Sequence, residues 1–225
     1  MKNSHWIIFD MDGVIFDSER ACLSCWEEIA EEYGMSGIEE VFRRCIGTNH
    51  AQTADIVEEA YAAVLGEGIA EKLLKESSRR FHARYDGGHM PVKPGARELL
   101  TLLKDRGIPL GLASSTRRAS VEKELGESGL LDFFDSITGG DAVKVSKPDP
   151  EIYLLAAGAL GADPSRTWAI EDSYNGIRSA HAAGLRPVMI PDIIPPDEEM
   201  RRLSEVICAD PAEAGRYLIG QIFGT

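Results

Sequence analysis

Apolar positions along the chain follow two different rhythms. Residues 5–10, HWIIFD, form a short apolar run ending on a carboxylate, as in a buried parallel strand with a functional C-terminal edge. The following MDGVIFD is too short and too glycine-marked for a helix and reads as a tight turn. Ser18 can cap a helix in which Cys22, Trp26, Ile29 and Tyr33 recur at spacings of three and four, broken by Gly34 and Gly37. Further helices are predicted near 38–45, 50–65 and 69–85, the last carrying Leu73, Leu74, Phe81 and Tyr85. No strand pattern appears between 18 and 88, so this stretch predicts an all-helical domain.

DGGHMPVKPG at 86–95 has the composition of a linker. Beyond it helix and strand alternate. Helices are predicted at 95–106, 116–125, 150–160 and 175–183, and strands at 108–114, 136–140, 167–171, 187–190 and 206–208. Short apolar strands separated by helices predict a parallel sheet covered on both faces. The first strand joins that sheet. The expected organisation is an α/β, Rossmann-like core from 1–17 with 89–225, and a helical domain inserted at 18–88. An insertion after the first strand leaves the C-terminal edge of the sheet, where open α/β sheets bind ligands.

The chain of 225 residues is long enough for one sizeable core with a smaller domain beside it. With 44% hydrophobic and 27% charged residues it is neither collagen-like nor disordered. Lys and Arg total 24 against 37 Asp and Glu, a net charge of -13, which excludes the basic footprint of a nucleic-acid binder. A local anion site remains open, held by a metal, a few cations or helix N-termini. Asp10 and Asp12 cut the N-terminal apolar run too short for a signal peptide, and no stretch approaches 18 apolar residues. A cytoplasmic monomer without a membrane partner is expected. Cys22, Cys25, Cys45 and Cys208 then stay reduced. Cys22, Cys25, Cys45 and His50 could make a zinc donor set, but the first pair falls in a helical pattern rather than a knuckle, which favours small buried hydrophobes.

Four signals carry chemistry. Asp10 and Asp12 leave a strand end into a glycine turn, and two acids so close suit a hard divalent cation, although a solvated acidic turn has the same spelling. Ser114, with Ser115 and Thr116 behind it, ends a strand and can cradle an oxyanion or simply cap a helix. Lys147, fixed before Pro148, can serve as a point charge for phosphate or be a solvated lysine, as Lys144 is taken to be. Glu171 and Asp172 form a second acidic pair at a strand end, where the dipole of the next helix would also favour acids. All four fall on one sheet edge, a constellation for metal-assisted phosphoryl chemistry.

The ordered set DMDGVIFD at 10–17, LASST at 112–116, Lys147-Pro148 and IEDSYNG at 170–176 resembles the haloacid dehalogenase-like hydrolases. Within them it resembles the branch of β-phosphoglucomutase and small-molecule phosphatases, over nearly the whole chain. The helical insertion resembles that family's α-helical cap. The resemblance implies Asp10 as nucleophile and Asp12 as general acid and base. It implies Mg2+ on Asp10, the Asp12 carbonyl and Asp172, with Glu171 direct or through water. Ser114, with Ser115, would bind the transferring phosphoryl group, and Lys147 would neutralise it together with Asp10. The second carboxylate of the first motif argues against dehalogenation, and nothing singles out Lys72 or Lys75 as the cap lysine of a C–P bond hydrolase.

The cap separates phosphatase from mutase. β-Phosphoglucomutases carry a His where this chain has Cys22, and an Arg after a Gly where IGTNHAQ places His50. His50 could partly replace that Arg toward a second phosphate. Arg79, Arg80, Arg84, Arg117 and Arg118 are further cations, of which Arg118 is the favoured contact to a distal phosphate. The expected function is a magnesium-dependent phosphatase acting on a small phosphorylated metabolite, with a sugar-phosphate mutase as the alternative and a non-enzymatic binding protein as a third.

Overall fold

The computed structural model describes residues 5–46, 48 and 50–224. The chain forms two compact units, 1–17 with 92–225, and 18–91. The first is a six-stranded sheet: β1 (Trp6–Phe9), β2 (Leu110–Ala113), β3 (Ser136–Thr138), β4 (Thr167–Glu171), β5 (Arg186–Met189) and β6 (Val206–Ile207). The strand order is β3-β2-β1-β4-β5-β6, and each neighbouring pair is parallel. This is a Rossmann-like core, and its order reverses between β1 and β4, where such sheets open a crevice at the carboxyl ends of the strands.

The helices α5 (Ala96–Asp105), α6 (Arg118–Glu127), α7 (Glu151–Leu160), α8 (Tyr174–Ala182) and α9 (Glu198–Leu203) connect successive strands, and α10 (Pro211–Phe223) follows β6. Small residues let one of these helices come close to the sheet. Ile8 lies in register with Gly111 on β2 and Ala169 on β4, and α7 lays Tyr153, Ala156 and Ala157 over Ile8 and Ala169. A Cβ at Gly111 would come within 2.7 Å of the Leu160 side chain on α7, so a larger residue there would force that side chain to shift.

The inserted unit is all-helical: α1 (Ser18–Tyr33), α2 (Ile38–Cys45), α3 (His50–Leu65) and α4 (Ile69–Tyr85). α4 packs on α1 and α3, around buried Ile29, Val57 and Leu73. Ser18 begins α1 but does not cap it, because its buried hydroxyl has no hydrogen-bond partner among the described residues. Gly47 and Asn49 of the IGTNHAQ stretch lie outside the described residues. No helix among the described residues is long and apolar enough to cross a membrane.

Two elements were not predicted, α9 and α10. Asp197 and Asp210 cap them, accepting from the Met200 and Glu213 N–H groups at 2.8 and 2.7 Å. β2 starts at Leu110 rather than 108, because Pro109 has no N–H to donate and the Leu110 N–H turns to Asp135 Oδ2 at 2.9 Å.

Candidate active site

Sheet hydrogen bonds carry the chain into the site residues. Asp10 N–H donates to the Ile170 carbonyl at 2.9 Å and Ser114 N–H to the Thr138 carbonyl at 3.1 Å. Asp10, Ser114 and Glu171 therefore sit at the carboxyl ends of the adjacent strands β1, β2 and β4. Asp10, Ser114, Glu171 and Asp172 are all buried.

Lys147 reaches into this group from the loop before α7, at a cis peptide bond to Pro148. Its ammonium donates to Asp10 Oδ1 and Glu171 Oε1, both at 2.6 Å, and to the Ala113 carbonyl at 3.1 Å. Tyr153 of α7 completes the arrangement. Its hydroxyl donates to Glu171 Oε1 at 2.7 Å, and Lys147 Nζ lies 5.0 Å from its ring centroid. The other Glu171 oxygen accepts from the Ser173 hydroxyl at 3.1 Å. Gly176 leaves room for that carboxylate, since a Cβ there would lie 1.9 Å from it.

Asp10, Glu171 and Asp172 each offer a carboxylate oxygen within 4.8 Å of the others. Burial pushes the Asp10 carboxyl up to about 8, with Lys147 opposing that shift and Glu171 and Asp12 adding to it. Burial also works against the Lys147 charge, but Asp10 and Glu171 outweigh it and lift the ammonium above its usual range. Three carboxylates against one ammonium leave an excess of buried negative charge. An all-oxygen donor set with that charge fits a hard divalent cation, which would return Asp10 to its ionised form.

Asp12 is half-buried beside this group, and Thr116 Oγ1 donates to its Oδ2 at 3.3 Å. Ser114 Oγ accepts from the Thr116 N–H at 3.0 Å. Ser115 is exposed in the same turn. Its carbonyl needs the glycine at 140, where a Cβ would lie 2.1 Å from it. Arg118 opens α6, with its N–H on Asp141 Oδ1 at 2.8 Å and its exposed side chain paired with Glu122 at 2.8 Å. His50 opens α3 in the helical unit and lies 3.2 Å from Glu71. Arg79, Arg80 and Arg84 pair within that unit with Glu76, Glu32 and Glu28. Cys22, Cys25, Cys45 and His50 do not converge as a metal-ligand group among the described residues.

Sequence reasoning missed Tyr153, which fell within the helix predicted at 150–160 without being singled out, and the Thr116 contact to Asp12. The tyrosine hydroxyl at a core position of α7 was the available signal.

The family model for haloacid dehalogenase-like hydrolases matches residues 7–190. The chain belongs to that family. Its branch is that of capped phosphatases and phosphomutases, and it is an enzyme of that superfamily. It is 34% identical over 182 residues to the phosphorylated carbohydrates phosphatase of Thermotoga maritima, covering 81% of this chain and 82% of that one. Among solved structures it is similar to CbbY from Rhodobacter sphaeroides in complex with xylulose-(1,5)bisphosphate. There the TM-score is 0.67 at 27% identity, covering 94% of this chain and 98% of that one. A hydrolase from Deinococcus radiodurans shares the fold with a TM-score of 0.81 at 24% identity, covering 99% of this chain and 97% of that one.

Proposed function

We propose that this chain is a magnesium-dependent phosphatase that hydrolyses a small phosphorylated metabolite, a sugar phosphate, through an aspartyl-phosphate on Asp10. The observation that carries the reading is the Lys147 ammonium bridging Asp10 and Glu171, with Asp172 within 4.8 Å. It supplies a nucleophile, a fixed cation and a divalent-metal site at one strand edge. The relative from Thermotoga maritima is named for phosphorylated carbohydrates, and CbbY was solved with a sugar bisphosphate, which supports the substrate class.

An Asp10 carboxylate oxygen attacks phosphorus while the bond to the leaving oxygen breaks. Asp12, oriented by Thr116, gives that oxygen its proton. Asp12 then takes a proton from water as the water oxygen attacks phosphorus, the bond to Asp10 breaks and inorganic phosphate leaves. Lys147 holds Asp10 in one orientation and offsets charge on the phosphoryl oxygens. Ser114 Oγ already accepts a backbone N–H, so its own proton is directed to a phosphoryl oxygen, with Ser115 beside it. Magnesium, when held by Asp10, Asp172, the Asp12 carbonyl and Glu171, screens carboxylate from phosphate and stabilises transition-state charge. Arg118 offers the contact to a distal substrate phosphate, with its Nε paired to Glu122.

The mutase reading is less well supported. Burial pushes the Cys22 thiol up to about 11, so the position where mutases carry a His supplies neither a cation nor a base. The test is incubation with magnesium and a panel of phosphorylated sugars, polyols, nucleotides and small acids, following free phosphate and isomerised product. Phosphate release that vanishes in Asp10→Asn is expected. Isomer conversion with little phosphate release would replace the phosphatase with the mutase.

A further inference from the structure

Where the chain returns from the helical insertion, Val92 bridges to Phe16 and the Lys93 N–H donates to the Ile15 carbonyl at 2.8 Å. This places Lys93 beside the turn that follows Asp12. Its ammonium donates to the Gly13 carbonyl and lies 3.2 Å from Asp192 Oδ1. The two side chains are 12% and 2% exposed. Asp192, just past β5, brings a carboxylate oxygen within 4.8 Å of one on Asp172. Asp172, of the candidate metal cluster, thus faces another carboxylate whose charge Lys93 matches. A pair this buried costs desolvation, so stability alone is a weak reason for it.

We propose that Lys93 and Asp192 are positioning residues, a charge-neutral brace that fixes the Asp12–Gly13 turn and sets the affinity of the Asp172 site for magnesium. The inference rests on the magnesium-dependent reading above. Because the pair is neutral, removing either partner changes the field at Asp172 with opposite sign. Lys93→Met leaves the Asp192 charge uncompensated and tightens magnesium binding. Asp192→Asn leaves the Lys93 charge uncompensated and weakens it. One unit charge a few ångströms from a divalent ion shifts its affinity by about tenfold even under aqueous screening. The double variant returns toward wild type. Lys93→Met also frees the Gly13 carbonyl and lowers kcat with little change in KM.

The experiment is calorimetric titration of magnesium chloride into the full chain: wild type, Lys93→Met, Asp192→Asn and the double variant, with phosphate release followed in parallel. Dissociation constants that move in opposite directions in the two single variants are expected. Asp192→Asn, nearly identical in shape, carries its own prediction of weaker binding if Lys93→Met does not fold. Shifts of one sign, or none, in the presence of wild-type magnesium binding overturn the brace alone. A wild type that binds no magnesium overturns the brace and the metal-dependent reading beneath it.

Discussion

Gly13 holds φ at +73°, and a Cβ at this position would lie 2.0 Å from Asp172 Oδ2. Two demands therefore meet at one residue: a left-handed turn after Asp12, and a carboxylate laid against its Cα. Gly13→Ala is expected to cost about 1–3 kcal/mol in urea denaturation. By displacing Asp172 it should also cut phosphate release roughly a hundredfold; an alanine variant with wild-type turnover would contradict this. Tyr153→Phe removes a donor from a fully buried glutamate while Lys147 stays in place, which should cost about 1–3 kcal/mol in the same assay. Asp10, Asp12, Lys147 and the Glu171-Asp172 pair were legible in the sequence because each stands in a short local motif at a strand end or turn. Tyr153, Lys93 and Asp192 were not. Tyr153 and Glu171 are 18 residues apart, and Lys93 and Gly13 are 80 apart, so only the fold brings these pairs together.

At the scale of elements, strands and long helices were legible because burial imposes their period. α10 was not, because Gly215 and Gly220 interrupt its pattern. Gly215 has a packing reason, since a Cβ there would come within 3.1 Å of Leu99 and Leu102 on α5. The readable signal was local: Asp210 as cap, Pro211 in the first turn, and Glu213 accepting from the Ala209 N–H at 2.6 Å. α1 and α4 are tied by charge as well as by apolar contact. Arg80 bridges Glu76 and Glu32, and Arg79 also holds Glu76. Arg79 first, and then Arg80, draw the Glu76 carboxyl down to about 2 from an ordinary 4.5. A depressed carboxylate adds stability above its unfolded value and loses it as pH falls through its folded value. The melting-temperature gap between wild type and Glu76→Gln should therefore shrink between pH 4.5 and about 2. A gap that stays constant across that window would show that the pairs contribute nothing. Glu76 and Arg80 are only half-buried, so the gap should also be small and salt-sensitive.

Across the whole molecule, a net charge of -13 coexists with a site proposed to bind an anion. The conflict is settled locally: Lys147 meets Asp10 and Glu171 at 2.6 Å in a medium that screens little, and the proposed divalent cation would offset the buried negative charge left over. The fold follows from the same arrangement: a central β1 flanked by β2 and β4 puts three strand ends within reach of one lysine. The most direct test of the account is an acid quench of the enzyme during turnover of a sugar phosphate that it hydrolyses, followed by peptide mass mapping. The account predicts a phosphoryl group on the peptide containing Asp10, removed by hydroxylamine as an acyl phosphate and absent from Asp10→Asn. Steady phosphate release with no label on that peptide, or undiminished release by Asp10→Asn, would contradict it.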